Sequence, residues 1–312
     1  ERSSYVASSL INMYAKCGFL GEAQELLESI QFRNVVSWST VISGYVRQGH
    51  GHKALDCFER MQREGIFPDA IAFTCILKAC GDGVIIEKGI KIHEEIISGG
   101  LLAKDVVLGT SLVDMYIKCG SLLDAIVVFN SFLVHDVVLW TSLIGGYAEK
   151  GLNIEAMNCL VRMRSEGLSP NAVTYLCCLK GFQNIADIGK AHEAHAGIVK
   201  QGFEMDVSVG SALVDMYGKC GCVIEAQVIF SQLSSRNAIT WNTYITLYAE
   251  NLHGKGILSL LYQMQFEGVC PDAVTFLCSL KGSSIADSDE YRGQQIHIEI
   301  FKRGLEGLPS LG

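Results

Sequence analysis

The sequence predicts an all-α fold, an α-solenoid of about nine helix-turn-helix repeats, and three observations carry that prediction. The chain repeats itself at long range. Lys16-Cys17-Gly18, Lys118-Cys119-Gly120 and Lys219-Cys220-Gly221 stand 102 and 101 residues apart, as do Trp38, Trp140 and Trp241, and as do Pro68, Pro170 and Pro271, three of only four prolines. A fixed long period marks a repeat array, in which each unit buries its apolar face against its neighbours. Within that period, apolar runs at helical spacing stop at a Gly-containing turn and restart every 31 to 36 residues, so three hairpins make one unit. In one hairpin Ile76, Leu77 and Cys80, then Ile90, Ile92, Ile96 and Ile97, keep helical spacing on either side of a Gly turn, with Gly99-Gly100 as the stop. Finally, no window alternates apolar and polar residues long enough to favour a sheet.

Composition agrees. The 312 residues are 49% hydrophobic and 19% charged, which suits hairpins that bury both long faces and excludes a disordered chain. A globular prior would divide this length into two domains, but a repeat array has one continuous core, so a single domain over 1–312 is expected. No apolar stretch reaches the ~18 residues that span a bilayer, so no membrane partner is expected. The first residues, ERSSYVASSL, read as a repeat already under way and the last, LPSLG, as one cut short. A fragment truncated at both ends is therefore expected, with any targeting segment outside it.

Several residue clusters resemble catalytic or metal sites and fail on spacing. The twelve cysteines contain no C-x-x-C pair, and Cys17, Cys119 and Cys220 recur with the hairpins, as small packing residues of a reduced protein do. Cys177-Cys178 and Cys220-x-Cys222 are too closely spaced for an ordinary helical metal site. His297 and Glu299 match half of a zinc deaminase motif, but none of the thirteen residues after Glu299 is a cysteine that could complete the zinc shell. His192 and His195 are three apart, whereas a zincin helix needs its two histidines on one face at four. His93, His195 and His297 recur at intervals of 102 residues, as structural repeat positions would. No phosphate loop is present. The reading is therefore not an enzyme: no catalytic residue, no metal and no cofactor.

The hairpins differ in length in a fixed order. The segments VVSWSTVISGYVRQGHGHKALDCFERMQREGIFPD, AIAFTCILKACGDGVIIEKGIKIHEEIISGGLLAKD and VVLGTSLVDMYIKCGSLLDAIVVFNSFLVHD are 35, 36 and 31 residues long. They resemble the P, L and S motifs of PLS-class pentatricopeptide repeat (PPR) proteins of plants, of the organellar RNA-editing-factor type. The resemblance covers nearly the whole chain: S at 4–34, P at 35–69, L at 70–105, S at 106–136, P at 137–171, L at 172–206, S at 207–237, P at 238–272 and L at 273–308. It implies a right-handed superhelix, a mitochondrial or chloroplast location, and binding of single-stranded RNA at one base per hairpin, read by the fifth and the last residue of each repeat.

The chemistry of that implied code is direct. Guanine and uracil offer a ring N–H to an aspartate, while adenine and cytosine offer a ring nitrogen to an asparagine amide. Carried over, Ser8 with Asn34 implies A, Ser39 with Asp69 G, Thr110 with Asp136 G, Thr141 with Asn171 A, Ser211 with Asn237 A, and Asn242 with Asp272 U. Thr74 with Asp105 is compatible with G, whereas Leu176 and Leu277 cannot hydrogen-bond a base, in keeping with L motifs as poor readers. The implied target is 5′-A-G-n-G-A-n-A-U-n-3′. The same residue types are ordinary helix caps, so capping is the competing account of each pair taken singly.

At the second position of the repeats stand Val36, Ile71, Val107, Val138, Val173, Ile239 and Val274. In the family such residues wedge between bases; packing of the hairpin seam is the other account. Lys16, Arg47, Lys118 and Lys219 recur near the end of the first helix and are candidates for phosphate contact, although Glu149 and Glu250 take that place in two P motifs. The net charge of −8 argues against unspecific nucleic-acid binding, which needs a basic surface, but allows a local basic groove. The resemblance further implies MORF-type editing factors as partners through L motifs, and a deaminase domain in trans or outside this chain for C-to-U editing. A protein-binding helical scaffold is the reading from another functional class.

Overall fold

A computed structural model describes residues 2–30, 33–102, 105–182, 188–251, 256–285 and 290–302. The end of the ninth repeat, 303–308, and the tail beyond it lie outside the described residues. Eighteen α-helices and no strand occur among the described residues. The first helices of the hairpins are α1 (Arg2–Cys17), α3 (Val35–Arg47), α5 (Ala70–Asp82), α7 (Val106–Lys118), α9 (Val137–Glu149), α11 (Ala172–Leu179), α13 (Val207–Lys219), α15 (Ala238–Asn251) and α17 (Ala273–Ile285). The second helices are α2 (Leu20–Ser29), α4 (Gly51–Arg63), α6 (Ile86–Ser98), α8 (Leu122–Asn130), α10 (Asn153–Ser165), α12 (Ile188–Lys200), α14 (Val223–Gln232), α16 (Ile257–Phe266) and α18 (Glu290–Lys302). From α3 onward every first helix starts on the residue at which its repeat segment opens.

Contacts between Cα atoms group the chain into two compact units, Glu1–Gly146 and Tyr147–Gly312, where the repeats suggested one array; the division falls within α9. In the first unit, α1, α3, α5 and α7 pack one on the next, and α2, α4, α6 and α8 lie as a second layer against them. The second unit repeats the arrangement, with α11, α13, α15 and α17 in one layer and α10, α12, α14, α16 and α18 in the other. Contacts join near neighbours in sequence, as in a stack of hairpins.

The fourth residue of each first helix shows how the unequal repeats fit together. In the P segments it is Trp38, Trp140 or Trp241, each almost fully buried. Trp140 meets Phe129 edge to face with centroids 4.6 Å apart, and Trp241 meets Phe230 likewise at 4.8 Å. In the L segments Phe73, Tyr175 and Phe276 take the place, also buried. Two S segments carry Gly109 and Gly210 instead. Their second helices, α8 and α14, are 9 and 10 residues long, against 13 for α4, α6 and α12. Ending about a turn early, the chain folds Phe132 and Leu233 back over the first helix. A Cβ on Gly109 would lie 2.0 Å from the tip of the Phe132 ring, and one on Gly210 2.4 Å from a Leu233 methyl. In these two segments the shortened second helix and the glycine are thus two sides of one packing solution.

Gly109→Ala is expected to destabilise the first unit by about 1–3 kcal/mol through overpacking, and Phe132→Ala in the same chain should recover part of that loss; urea titration of the three proteins compares them.

Candidate nucleic-acid interface

Every helix leaves its first N–H groups without a partner inside the helix. Here the last residue of the preceding repeat supplies one. Asn34, Asp69, Asp105, Asn171 and Asp206 are the N-caps of α3, α5, α7, α11 and α13. The Oδ1 of Asp136, Asn237 and Asp272 accepts in the same way from the N–H of Leu139, Thr240 and Thr275 at 2.7, 2.9 and 2.8 Å. The capping account is therefore realised at every one of these positions. It also fixes what each side chain presents elsewhere. The helix end is a donor, so an asparagine must turn Oδ1 to it and its Nδ2 away, whereas an aspartate keeps a second acceptor oxygen free.

The fifth residues meet these caps across the hairpin. Ser39 Oγ donates to Asp69 Oδ1 at 2.8 Å, and Asn242 Nδ2 donates to Asp272 Oδ1 at 3.1 Å. Ser211 reaches Asn237 through one intermediary: its Oγ lies 2.7 Å from Thr240 Oγ1, which is 3.0 Å from Asn237 Oδ1. Residues 26 to 30 apart in sequence are thus brought into one polar cluster. Burial pushes the Asp272 carboxyl up, but hydrogen bonds from Thr275, Asn242 and the Val274 N–H outweigh it and hold the group below the ordinary carboxylate range, so it is ionised at neutral pH.

Other pairs are looser. Thr110 Oγ1 and Thr141 Oγ1 donate back to the carbonyls of Val106 and Val137, at 2.9 and 2.6 Å, as hydroxyls on helices often do. Ser8 and Thr74 are half-buried on α1 and α5. Thr141 and Asn171 belong to different units. Leu176 and Leu277 are half-buried on α11 and α17.

The second-position residues resolve differently from a packing role. Val36, Ile71, Val107, Val138, Val173, Ile239 and Val274 are 52–68% exposed, so the hairpin seam is filled by others. In the first unit a cleft of about 220 Å³ gathers the expected elements: Val36, Ile71, Ser39, Asp69, Lys16 and Arg47 all line it, with Asn12. A larger apolar cleft of about 540 Å³, lined by Ile66, Phe67, Pro68, Phe73 and Leu101, contains none of the reading residues.

The basic candidates are less available than their spacing suggests. Lys118 pairs with Asp82 and Asp114 at 2.9 and 3.0 Å, Lys219 with Asp215 at 2.7 Å, and Arg47 donates to the carbonyl of Ala15 at 2.7 Å. Lys16 is exposed and lines the cleft.

Sequence reasoning missed the residue just before three of the caps. Arg33 Nε donates to Leu27 O, Arg236 Nε to Phe230 O, and His135 Nε2 lies 3.2 Å from Phe129 O, each closing the end of a shortened S-segment helix. Arg33 and Arg236 also pair with Glu64 and Glu267 of the next repeat. The signal was the recurring cation or imidazole one residue before the S-segment end.

Two of the three recurring histidines have a structural role. His93 Nδ1 and His195 Nδ1 lie 2.9 Å from the hydroxyls of Tyr116 and Tyr217. Burial lowers both histidine pKa values and pushes both tyrosines up to about 12, so a neutral imidazole is hydrogen-bonded to a protonated phenol at each site. Among the described residues no cluster of three or more His, Cys, Asp or Glu is arranged to hold a metal. Burial raises the thiols of Cys57 and Cys159 to about 11 and those of Cys80 and Cys178 to about 12, which keeps them protonated packing groups.

Stacked two-helix hairpins, most of them carrying a polar pair, define a helical-repeat protein. The model of the PPR repeat family matches residues 33–82 and 135–184, and that of the PPR repeat matches 5–35, 211–237 and 239–269, together more than half of the chain. The chain belongs to the pentatricopeptide repeat family. Similar proteins of Arabidopsis thaliana include pentatricopeptide repeat-containing protein At2g33680, 35% identical over 89% of this chain and 39% of its own length, and the chloroplastic At4g18520, 34% identical over 92% and 46%. The mitochondrial At3g09040 is 33% identical over 96% of this chain and 29% of its own length. The chain thus spans less than half the length of these relatives. Among solved structures, a cysteine-to-serine variant of the pentatricopeptide repeat protein PPR10 in complex with an 18-nucleotide psaJ RNA element superposes with a TM-score of 0.74 at 19% identity, over 96% of this chain and 45% of that one. A second PPR10 complex with psaJ RNA gives 0.60 at 18% identity, over 96% and 51%. These likenesses establish the fold.

His93 and His195 prefer the neutral form when folded, so the unfolded chain binds more protons below its ordinary imidazole pKa of about 6.5, and stability is lost as the pH drops through that value. Denaturant titrations at about pH 7.5 and about pH 5.5 should show that loss, and His93→Gln with His195→Gln should flatten it.

Proposed function

We propose that this chain binds single-stranded RNA sequence-selectively, one base to each readable hairpin, without itself catalysing a reaction. The observation that carries the proposal is the cleft that hydrogen-bonded Ser39 and Asp69 share with exposed Val36 and Ile71. Exposed aliphatic side chains beside a polar pair suit a base held by its faces and read along its edge. The RNA held by PPR10 in structures of the same fold supports the choice of ligand. Helix capping supplies the reading logic: asparagine caps offer Nδ2 to the ring nitrogen of adenine, and aspartate caps offer an oxygen to the ring N–H of guanine or uracil. The target is 5′-A-G-n-G-A-n-A-U-n-3′.

The alternating long and short hairpins further support a PLS-class protein of a plant organelle, whose chloroplastic and mitochondrial relatives favour that location. In this reading the chain is the specificity module of organellar RNA processing. It places a site for C-to-U editing by a deaminase domain outside this chain or in trans, with MORF-type factors on its L motifs. Binding is modest, because Lys118 and Lys219 are already paired with aspartates, and salt-sensitive, because phosphate contacts release counterions. The apolar cleft beside Phe67, which is 90% exposed, favours a second role as a scaffold for protein partners.

Two experiments test the proposal. Gel-shift titration should show tighter binding of the nonamer than of a scrambled nonamer, and equal affinity for both refutes it. Ser211→Asn with Asn237→Asp copies the pair of the next hairpin and should move the preference at the seventh base from A to U in a randomised-RNA selection; an unchanged preference refutes the register.

A further inference from the structure

The polar clusters contain a third member outside the reading pair. It is the third residue of the following hairpin, which stands at the start of the next first helix. Ser37, Thr174, Thr240 and Thr275 all place a hydroxyl on the cap before them. Ser37 Oγ lies 3.2 Å from the Asn34 N–H, and Thr174 Oγ1 lies 3.3 Å from the Asn171 N–H and 3.1 Å from Asn171 Oδ1. Thr240 bridges Ser211 and Asn237. Thr275 Oγ1 donates to Asn242 Oδ1 at 2.6 Å and lies 2.9 Å from Asp272 Oδ1.

The distribution of these hydroxyls follows chemistry. Every pair that contains an amide, through Asn34, Asn171, Asn237 or Asn242, is followed by one. The pairs without an amide, which end in Asp69, Asp105, Asp136 and Asp206, are followed by Ala72, Leu108, Leu139 and Val209. A carboxylate has two like oxygens, so turning it over changes nothing. An amide has a donor end and an acceptor end, and turned over it would favour the opposite class of base.

We propose that the third residue of each hairpin is a specificity-determining positioning residue for the base read by the hairpin before it, its hydroxyl locking the amide of that pair in the one orientation that reads the intended base. At Asn171 and Asn237 the lock holds Oδ1 on the helix end and Nδ2 toward the base, whereas Ser37 Oγ meets the backbone N–H and carbonyl of Asn34 and not its amide. At Asn242 the lock holds Oδ1 on Thr275, so that Nδ2 faces Asp272. Where no amide needs orienting, an apolar residue packs there instead. The inference rests on the RNA reading proposed above.

The test uses the full chain with Thr240→Val, which removes the hydroxyl at constant shape, and Thr240→Ser, which keeps it. Affinities are measured for the nonamer with A or G at the seventh base and, as an internal control, A or G at the fifth. Thr240→Val should reduce the A-over-G ratio at the seventh base by roughly threefold to tenfold, the worth of one hydrogen bond, leave the fifth unchanged, and be rescued by Thr240→Ser. An unchanged ratio at the seventh base, or an equal fall at both, overturns the proposal while leaving RNA reading intact. No base preference at either position in the unsubstituted chain overturns both. Thr174→Val repeats the measurement with the fifth base tested and the seventh as control, so a folding failure of one variant, seen in a circular dichroism melt, does not shield the idea.

Discussion

The open N–H groups at the start of each first helix are the constraint on which the rest of the structure depends. A helix packed between two others cannot leave those donors to solvent without cost, and the nearest residue able to accept from them is the last one of the previous repeat. Satisfying that demand fixes the backbone entering every hairpin. It also turns a side chain of set polarity toward the open face, beside a fifth residue delivered by the preceding helix. Capping and base reading are therefore one geometry. This is why Ser39 can reach Asp69 and Asn242 can reach Asp272 across thirty residues of sequence.

Unequal repeat lengths belong to the same scheme. The 35-residue hairpin around Trp38 fills the space beside its cap with an indole and lets its second helix run 13 residues. The 31-residue hairpins around Gly109 and Gly210 omit about a turn, fill the space with Phe132 and Leu233, and close the shortened helix with His135 and Arg236. In these two hairpins glycine, bulky residue and capping side chain go together.

Much of this was legible in the sequence because repeats print their register. The tryptophans, prolines and KCG tripeptides recur at one period, and the polar pairs fall in phase with them, so the hairpins, their starts and the reading candidates follow from spacing. Spacing does not report which partner a side chain chooses. Lys118 and Lys219 look like a basic row until Asp114 and Asp215, one turn back, are seen to hold them. The second-position aliphatics are compatible with seam or surface until their exposure decides it. The third-position hydroxyls read as ordinary helix-start residues, and only their bonds to Asn237 and Asn242 reveal a link with the reading pairs.

The sequence by itself determined the secondary structure, the repeat order and the polarity offered at each cap. Those depend on local periodicity and on helix-end chemistry that acts over three or four residues. Only the tertiary structure decided which hydroxyl orients which amide, which lysine is neutralised, and which apolar residue stands in solvent. Each of those outcomes is set by where neighbouring hairpins bring their faces together, a distance that sequence separation does not encode.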